Sequence, residues 1–491
     1  MAAGRDVFSG VKMEQVLNLI DGSFRPPLKG EYLTTISPAS AKAIGKIPQS
    51  TSEDVDEAVM AAKKAFPLWR DKSIHERGEC LKRLSKLIEE NIEAFSVLES
   101  EDNGKPVHVA RSIDIPRSIQ NLSFFAEAIC QWPSESHHGS QGLNYTLRQP
   151  RGVVACISPW NLPLYLFTWK IAPALAAGNT VVAKPSEVTP LTAYYLAKLV
   201  QKAGFPDGVL NIIHGTGGVA GEALVCHKDV KTITFTGGTA TGRRIAQLAA
   251  PMFKKYSLEL GGKNANIIFA DAPFEKMIET TLRSSFANQG QICLCGSRIL
   301  VEESLYERFK EAFIKRVKGL KVGDPKDPRT DQGAIVSREH YEKVLFAIEK
   351  AKKEGGRILC GGGAAPQKGA LKDGYFIEPT VIEGLDENSC TFKEEIFGPV
   401  VTLNTFSSDK EALKLANSSE YGLSCSIFTE NLTRAHMLAS CVNVGIVWIN
   451  GWLLRDLRTP FGGVGISGVG REGGFEALRF FTEPKNVCIG I

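Results

Sequence analysis

The sequence predicts an α/β protein built on a doubly wound parallel sheet, and three observations lead there. Its 491 residues exceed one ordinary core, so two or three domains are expected. From about residue 151, short β-branched runs alternate with helical segments. Several of those runs end in glycine-rich turns, as the strands of nucleotide-binding sheets do.

The N-terminal third predicts helices. In "TSEDVDEAVMAAKKAF" the apolar residues recur at helical spacing, and Ser52 is positioned to cap the helix. The pattern returns in "ECLKRLSKLIEENIEAFSVLESEDNGK", which is predicted to end at Asn103 and Gly104.

Five strand-like runs follow in the middle of the chain: "GVVACISP", "NTVVAKPS", "VLNIIHG", "TITFTGG" and "NANIIFAD". Helical segments such as "PLTAYYLAKLVQKAG" separate several of them, which favours a parallel sheet with crossover helices. A second α/β region is predicted over residues 262–445, with strands near "RILVEE" and "VWIN".

Composition excludes several classes of protein. The chain has 58 basic and 54 acidic residues, a net charge of +4, which gives no reason to expect nucleic acid. The start lacks the apolar core of a secretory signal, and Pro159, Pro163 and Pro173 interrupt the longest apolar stretch, so no membrane span is expected. The 11 cysteines suit reduced thiols in the cytoplasm.

Three turns on successive strands point to a nucleotide. "HGTGGVAGEAL" nearly matches G-x-G-x-x-G, "FTGGTATGRRI" places Gly237 and Gly242 at a strand-to-helix turn, and Lys184 and Glu187 follow another strand. The alternative is three ordinary loops of an α/β fold.

Two cysteines in "FANQGQICLCGS" raise a separate question. Cys293 and Cys295 could be a metal clip, a redox pair, core side chains, or one nucleophile beside a bystander. No CxxC motif occurs and no histidine lies near Cys293, so no metal site is expected.

Seven motifs in order make the chain similar to the aldehyde dehydrogenase superfamily from about Leu19 to the C-terminus. They are "SPWNLPL", "AAGNTVVAKPSE", "FTGGTATG", "LELGGKN", "FANQGQIC", "EEIFGPV" and "PFGGVGISGVGREGG". The resemblance implies the aldehyde dehydrogenase fold: a Rossmann-like NAD-binding domain (1–126 and 150–261), an α/β catalytic domain (262–446) and a small β oligomerisation element (127–149 and 475–491). It also implies a homodimer or homotetramer.

The resemblance assigns the chemistry to three residues. Cys293 is implied as the nucleophile, because thiolate attack on an aldehyde gives a thiohemiacetal from which hydride can leave, and a thioester remains. Asn161 resembles the family's oxyanion donor, with the backbone N–H of Cys293. Glu259, between two leucines, resembles the base that activates water for thioester hydrolysis, and partial desolvation should raise its pKa. A solvated strand glutamate is the alternative for Glu259, and Cys295 is expected to be a small core side chain.

NAD is the implied cofactor. The positions that match the family's cofactor site are Ser158, Trp160, Lys184, Ser186, Glu187, Gly217, Gly237, Gly238, Gly242, Leu260, Glu395 and Phe397. Two positions depart from the family pattern: Gly238, where a serine is common, and Gly465, where a lysine is common.

Within the superfamily, "DIPRSIQN", "CLCGSRI" and "WLLRDLRTPFGG" resemble the 2-aminomuconic and 2-hydroxymuconic semialdehyde dehydrogenases. That branch oxidises a short conjugated semialdehyde with a carboxylate at its far end. Arg117 and Arg455 stand at its carboxylate-binding positions, and surface arginines are the alternative.

Other readings stay open at this point. A betaine-type aldehyde would need an aromatic cage, to which Tyr165, Phe167 and Trp169 could contribute. Retinal and simple aliphatic aldehydes are further alternatives. A non-catalytic structural relative and a CoA-acylating relative are disfavoured by the presence of Cys293, Glu259 and Asn161.

Overall fold

A computed structural model describes residues 14–490 of the chain. The beginning of the predicted NAD-binding domain and the last residue of the predicted oligomerisation element therefore lie outside the described residues. Two large sheets and one small sheet organise the rest.

The first sheet has five parallel strands at its centre and antiparallel strands at both edges. In spatial order its eight strands are Gly468–Val469, Lys255–Glu259, Val230–Thr236, Val153–Ile157, Thr180–Lys184, Leu210–Ile212, Asn18–Ile20 and Ser23–Arg25. Helices cover both faces, so strands such as Val153–Ile157 are buried at every residue and contain no polar alternation.

The chain reverses its direction of travel across this sheet beside Val153–Ile157. From that strand the chain first builds Thr180–Lys184 and Leu210–Ile212 on one side, then returns to add Val230–Thr236 and Lys255–Glu259 on the other. In doubly wound sheets, ligands bind outside the carboxyl ends of the strands at such a reversal. Ser158 and Gly237 directly follow the two strands that flank it.

The second sheet has seven strands and is parallel apart from one edge pairing. In spatial order they are Arg357–Cys360, Thr380–Glu383, Val400–Phe406, Gly296–Glu302, Asn264–Ile268, Ser424–Phe428 and Ile446–Ile449. The run in "NANIIFAD" belongs here, whereas Lys255–Glu259 supplies the fifth parallel strand of the first sheet. Two buried runs separated by a few residues carry the same pattern, so the sequence could not assign them to different sheets.

The third sheet is small, antiparallel and largely exposed. It consists of Thr482–Gly490, Gly142–Pro150 and Ser136–Gly139, from the two segments predicted to form the oligomerisation element. The helix Ile115–Gln131 continues through residue 127, so the β structure begins later than that boundary. The domain boundaries themselves stay a prediction.

The remaining strands form two minor sheets: Glu14–Gln15, Lys42–Pro48 and Tyr32–Ser37 in one, and Tyr421–Gly422 with Val464–Gly465 in the other. The α-helices are Ser52–Arg70, Ile74–Glu89, Ile92–Asn103, Val107–Val109, Ile115–Gln131, Pro163–Ala176, Leu191–Val200, Glu222–Cys226, Thr239–Ala249, Phe274–Phe286, Tyr306–Lys318, Arg338–Lys353, Cys390–Lys393, Asp409–Ala416, Leu432–Cys441 and Gly474–Phe480. Two π-helical turns span Ala110–Asp114 and Gly217–Gly221, and short 3₁₀ turns span Ala250–Met252, Ala287–Gly290, Glu303–Leu305 and Gly369–Leu371.

The N-terminal helices follow the sequence prediction closely. The stop at Gly104 is confirmed, because this glycine adopts a φ of +89° at the end of Ile92–Asn103. The predicted cap at Ser52 is wrong by one residue. Ser52 is the first helical residue, and the Thr51 amide donates a hydrogen bond of 2.8 Å to the Asp54 carboxylate. No helix within residues 14–490 is both long and apolar enough to cross a membrane.

Candidate active site

The two large sheets meet at a cleft of about 240 Å³. It lies at the carboxyl edge of the first sheet, beside the chain reversal, and the loop that carries Cys293 closes it from the second sheet. Its walls are Pro159, Trp160, Asn161, Thr236, Gly237, Gly238, Leu260, Gly261, Cys293, His340, Lys343, Glu395 and Phe397. Eight of the residues predicted from the sequence are therefore brought together here.

The turn before Cys293 adopts an uncommon backbone. Asn288, Gln289 and Gly290 have φ values of 51°, 56° and 68°, in the left-handed region that disfavours side chains. Gly290 also has no room for a side chain, since a Cβ would lie 2.1 Å from the Gly398 carbonyl oxygen. Strain of this kind persists only where the surroundings hold it, and it is common at active sites.

The Cys293 thiol lies at the cleft wall, and its main chain is fixed from behind. Asn264 donates to the carbonyl oxygens of Cys293 and Cys295 at 2.7 and 2.9 Å. Burial raises the pKa of the Cys293 thiol far above its ordinary value, Glu395 and Glu259 add to the rise, and Arg455 opposes it. In this state the sulfur carries its proton, so attack on a substrate requires a base.

Cys295 lies away from the cleft. It is 6% exposed and packs with Ile292, Leu294 and the two tryptophans Trp448 and Trp452. Burial raises the pKa of its thiol to about 12. This environment suits the expected role as a small core side chain.

Asn161 is buried next to the nucleophile's turn. Its side-chain amide donates to the Gln291 carbonyl oxygen at 2.9 Å, and its own carbonyl oxygen accepts from Asn288 at 3.0 Å. The Nδ2 group has a second hydrogen, which is available to an oxygen that develops charge beside Cys293.

Glu259 ends the strand Lys255–Glu259 and is 4% exposed. Its Oε1 has no hydrogen-bond partner within residues 14–490, and a Cβ on Gly462 would come within 2.8 Å of it. Burial raises the pKa of Glu259 well above its ordinary value, Glu472 raises it further, and Lys170 and Arg455 oppose the rise. The desolvation that the sequence suggested is present, and the solvated alternative does not hold.

A buried polar cluster lies behind Glu259. Lys170 pairs with Glu472 at 3.0 Å, Thr234 donates to the same carboxylate at 3.1 Å, and the Trp169 indole donates to it at 2.5 Å. The sequence offered one signal for it. Lys170 stands inside an apolar helix, and a buried ammonium needs a partner.

Several predicted cofactor residues lie outside the cleft walls and form a second group at the carboxyl end of strand Thr180–Lys184. Lys184 donates to Glu187 at 3.1 Å, and the Gly217 amide donates to the other carboxylate oxygen at 3.1 Å. Burial alone would raise the pKa of Glu187, but Lys184 and that amide lower it overall. Ser158 is buried, and its hydroxyl has no hydrogen-bond partner among residues 14–490, whereas the Ser186 hydroxyl accepts from the Val188 amide.

The glycines at the start of helix Thr239–Ala249 have different constraints. A Cβ on Gly237 would lie 2.4 Å from the Phe235 ring, and one on Gly242 would lie 2.5 Å from Leu260. A Cβ on Gly238 would meet nothing within 4 Å. Gly238 caps the helix without a side chain, so the helix presents main-chain N–H groups to the cleft.

The opposite wall of the cleft is aromatic and carries a buried carboxyl. Trp160 and Phe397 meet edge to face at 5.2 Å, and the His340 ring lies 5.0 Å from Trp160. The Nε2 of His340 donates to the Phe397 carbonyl oxygen at 2.7 Å. Glu395 accepts from the Gly262 amide at 2.8 Å, and burial raises the pKa of its carboxyl to about 7. His340 and Lys343 escaped prediction because they lie on helix Arg338–Lys353, which has an ordinary amphipathic pattern.

Arg117 and Arg455 line a separate cleft of about 730 Å³. The Arg455 guanidinium lies between the Trp169 and Phe461 rings at 4.3 and 4.1 Å, and it donates to the Tyr165 hydroxyl at 2.9 Å. Its Nη2 is buried with no acceptor within the described residues. Neither arginine forms an ion pair in residues 14–490.

Comparison with known proteins agrees with this arrangement. Residues 25–487 match the aldehyde dehydrogenase family. The chain is 48% identical to a 2-aminomuconic semialdehyde dehydrogenase from Bos taurus over 96% of this chain and 97% of the relative. It is 43% identical to a 2-hydroxymuconic semialdehyde dehydrogenase from Pseudomonas sp. (strain CF600) over 97% of this chain and all of that relative. A solved NAD+ complex of an aldehyde dehydrogenase from Bacillus cereus superimposes with a TM-score of 0.96, at 39% identity, over 100% of this chain and 99% of that one.

The chain belongs to the aldehyde dehydrogenase family. The predicted family, fold, enzyme class and cofactor NAD are thereby confirmed. The roles of single residues and the domain boundaries are not tested by these comparisons, and they stay predictions.

The cleft of this aldehyde dehydrogenase and the second group, around Lys184 and Glu187, together fit NAD. The open N-terminus at Gly238 suits a pyrophosphate, Glu187 and Lys184 suit a ribose, and the unpartnered Ser158 and Thr236 hydroxyls supply further polar groups. Glu395 and Phe397 line the same cleft as Cys293, and the predicted contact of these two residues with the nicotinamide half of the cofactor stays a prediction.

Gly465 departs from the family pattern for a backbone reason. Its φ is +60°, and a Cβ would lie 2.6 Å from the Glu420 carbonyl oxygen. A lysine at position 465 would strain this backbone. The chain therefore differs from the family pattern here in its main-chain conformation as well as in its side chain.

Proposed function

We propose that this enzyme oxidises a short semialdehyde that carries a carboxylate at its far end, with 2-aminomuconic semialdehyde as the substrate and 2-aminomuconate as the product. The observation that carries the proposal is Arg455. Its guanidinium has a buried N–H without an acceptor, no ion-pair partner in residues 14–490, and an electrostatic influence on both Cys293 and Glu259. A half-buried cation with one buried, unpartnered N–H, which acts electrostatically on both reacting groups, favours an anionic substrate.

In the proposed reaction the Cys293 sulfur adds to the aldehyde carbon, and the thiol proton leaves to a base. The Asn161 amide stabilises the alkoxide of the thiohemiacetal. NAD, when bound, accepts the hydride that leaves this carbon. The thioester that remains on Cys293 is hydrolysed by a water whose proton Glu259 accepts, which releases the carboxylate and regenerates the thiol.

The aromatic residues argue against a betaine-type substrate. Arg455 already covers the Trp169 ring and bonds to Tyr165, and Phe167 is 1% exposed within the core. The cage that a quaternary ammonium would need is therefore occupied by a cation of the protein itself. The same positive charge would repel a betaine aldehyde.

The 2-hydroxymuconic semialdehyde is the second candidate. Arg117 and Arg455 would bind either substrate, because both carry the same distal carboxylate. The relatives from Bos taurus and from Pseudomonas bear the amino and the hydroxy name respectively, and the higher identity to the former favours the amino form.

The proposal is tested with NAD and a panel of aldehydes. Semialdehydes with a carboxylate are compared with neutral aldehydes of equal length, and NADH formation gives kcat/KM for each. We expect the carboxylate-bearing aldehydes to be preferred by at least tenfold. Equal values for charged and neutral members would replace the proposal with a broad-specificity aldehyde dehydrogenase.

We also propose a cytoplasmic homodimer or homotetramer. Support comes from the unpaired state of the cysteines, all of which lie within residues 14–490, and from the exposed third sheet. That sheet presents Leu143, Leu147 and Ile489 to solvent in the single chain. Native mass spectrometry of the purified enzyme would give the number of subunits.

A further inference from the structure

Lys105 lies beyond the cleft and none of the assignments above uses it. It follows the helix Ile92–Asn103 and the left-handed Gly104, and it is fully buried. Its ammonium pairs with Asp114 at 2.6 Å, where both side chains are essentially without solvent contact, and donates to the Asn161 main-chain carbonyl at 3.2 Å.

The Asn161 carbonyl is a junction of three segments. Lys105 reaches it from the loop after the helix, Asn288 reaches it at 3.0 Å from the turn that precedes Cys293, and Asn161 itself follows a strand of the first sheet. The carbonyl of the preceding residue, Trp160, accepts a hydrogen bond of 2.9 Å from the side-chain amide of Asn103. Two successive peptide groups of the segment that carries the oxyanion donor are thus fixed from the end of one helix and the residues directly after it.

Asp114, whose carboxylate pairs with Lys105, lies at an irregular point of the helical backbone. Asp114 ends the π-helical turn Ala110–Asp114, which leads into the helix Ile115–Gln131 that carries Arg117. π-turns add a residue to a helix, are costly, and recur at functional sites. The carboxyl of Glu99 also faces this cluster. Burial raises its pKa to about 7, Lys105 opposes the rise and Asp114 adds to it.

A buried ion pair is a weak source of stability, because desolvation of two charges offsets most of their attraction. The clearest consequence of this charge is the group that it fixes, which is the main-chain carbonyl of the predicted oxyanion donor.

We propose that Lys105 is a positioning residue for the oxyanion site, which it holds through the main-chain carbonyl of Asn161, and that Asp114 holds Lys105 in place. The inference rests on the proposed function only in that Asn161 stabilises an oxyanion beside Cys293. It does not depend on which aldehyde is the substrate.

The test is a double-mutant cycle of Lys105→Met with Asn161→Ala. The reaction is acylation of Cys293 by p-nitrophenyl acetate, followed as the burst of nitrophenolate, because this ester forms an oxyanion at the same place without aldehyde or NAD. The four proteins are also compared in aldehyde-dependent NADH formation, so a wrong substrate assignment would leave the ester result standing.

We expect Asn161→Ala to slow acylation by about 10²- to 10³-fold, as loss of an oxyanion donor does. Lys105→Met alone should slow it by about ten- to a hundredfold through displacement of that donor, with little change in KM. In the Asn161→Ala background the same substitution should cost less than about twofold, because the group that it positions is gone.

Lys254→Met is the matched control. Lys254 is another buried lysine that donates to main-chain carbonyls, those of Val225 and His227, at 2.5 and 2.6 Å, away from the cleft. It should lower the melting temperature, and any change in rate should be equal in both backgrounds. If Lys105→Met does not fold, Asp114→Asn keeps the shape of the pair and should show a smaller loss that also vanishes without the Asn161 amide.

Losses from Lys105→Met and Asn161→Ala that multiply would show that Lys105 supports the fold in general, and would overturn the proposal. A folded Lys105→Met or Asp114→Asn enzyme with the wild-type acylation rate would overturn it as well.

Discussion

At the residue scale, Cys293 and Cys295 differ in their surroundings, although the sequence around them does not show which one borders the cleft. Cys293 borders the cleft, and Cys295 packs among tryptophans. We expect Cys293→Ala to abolish aldehyde-dependent NADH formation and to leave NAD affinity, measured by calorimetry, nearly unchanged. Cys295→Ala should keep most of the activity. The reverse behaviour of the two variants would show that the nucleophile had been misassigned.

Glu259 gives a prediction about pH. Its pKa is raised, and it works as a base only when deprotonated, so hydrolysis of the thioester should quicken as pH rises through that pKa. Glu259→Gln should remove this dependence, and mass spectrometry should find the acyl group retained on Cys293 after one round of NADH formation. A Glu259→Gln enzyme that gives neither an NADH burst nor added mass would show that Glu259 acts in a step before hydride transfer.

Glu187 governs the choice between NAD and NADP in this account. Its carboxylate accepts hydrogen bonds from a ribose and repels a 2′-phosphate, although Lys184 at 3.1 Å offsets part of that charge. We expect wild-type kcat/KM to favour NAD, and Glu187→Gln to reduce the preference by about tenfold. Comparable values for both cofactors in the unmutated enzyme would be inconsistent with this role.

At the element scale, the start of helix Thr239–Ala249 offers a matched pair of glycines. Gly238→Ser should leave stability unchanged and bind NAD at least as tightly, because its Cβ enters open space and its hydroxyl can reach a phosphate. Gly237→Ser should destabilise the protein and weaken NAD binding by tenfold or more, because its Cβ would overlap the Phe235 ring. Thermal melting and NAD titration of the two variants would test this, and equal behaviour would refute it.

The elements also show what a sequence can and cannot predict here. Strands such as Val153–Ile157 and Thr180–Lys184 are continuous apolar runs between clear turn signals, and they could be placed within a few residues. The π-turn at Ala110–Asp114 could not, since one inserted residue leaves the apolar spacing of a helix almost unchanged. Motif resemblance located Cys293 and Asn161.

Most of the residues around the candidate site that the sequence did not predict are held there by contacts between distant segments. Lys105, Lys170, His340 and Glu472 meet partners far away along the chain or on another element, and pattern along the chain carries no information about such pairs. A buried lysine within an apolar context was the one usable sign, and it was present at Lys170.

At the scale of the whole molecule, the candidate active site lies where the two large sheets meet. Asn161 and Glu259 come from the first sheet, and Cys293 comes from the loop that leads into the second. Arg455 lines the cleft that we propose for the substrate carboxylate, and its charge lowers the pKa values of both Cys293 and Glu259.

The most direct test of the central claim is the ratio of kcat/KM for a muconic-type semialdehyde to that for a neutral aldehyde of equal length, in the wild type, Arg117→Met and Arg455→Met. Arg458→Met is the control, because Arg458 lines the same cleft but is paired with Asp456. Loss of one hydrogen-bonded charge contact should lower kcat/KM for the acid by about ten- to a hundredfold. We expect this loss to be confined to the acid and to be absent from Arg458→Met. Equal losses on the charged and the neutral aldehyde would contradict it.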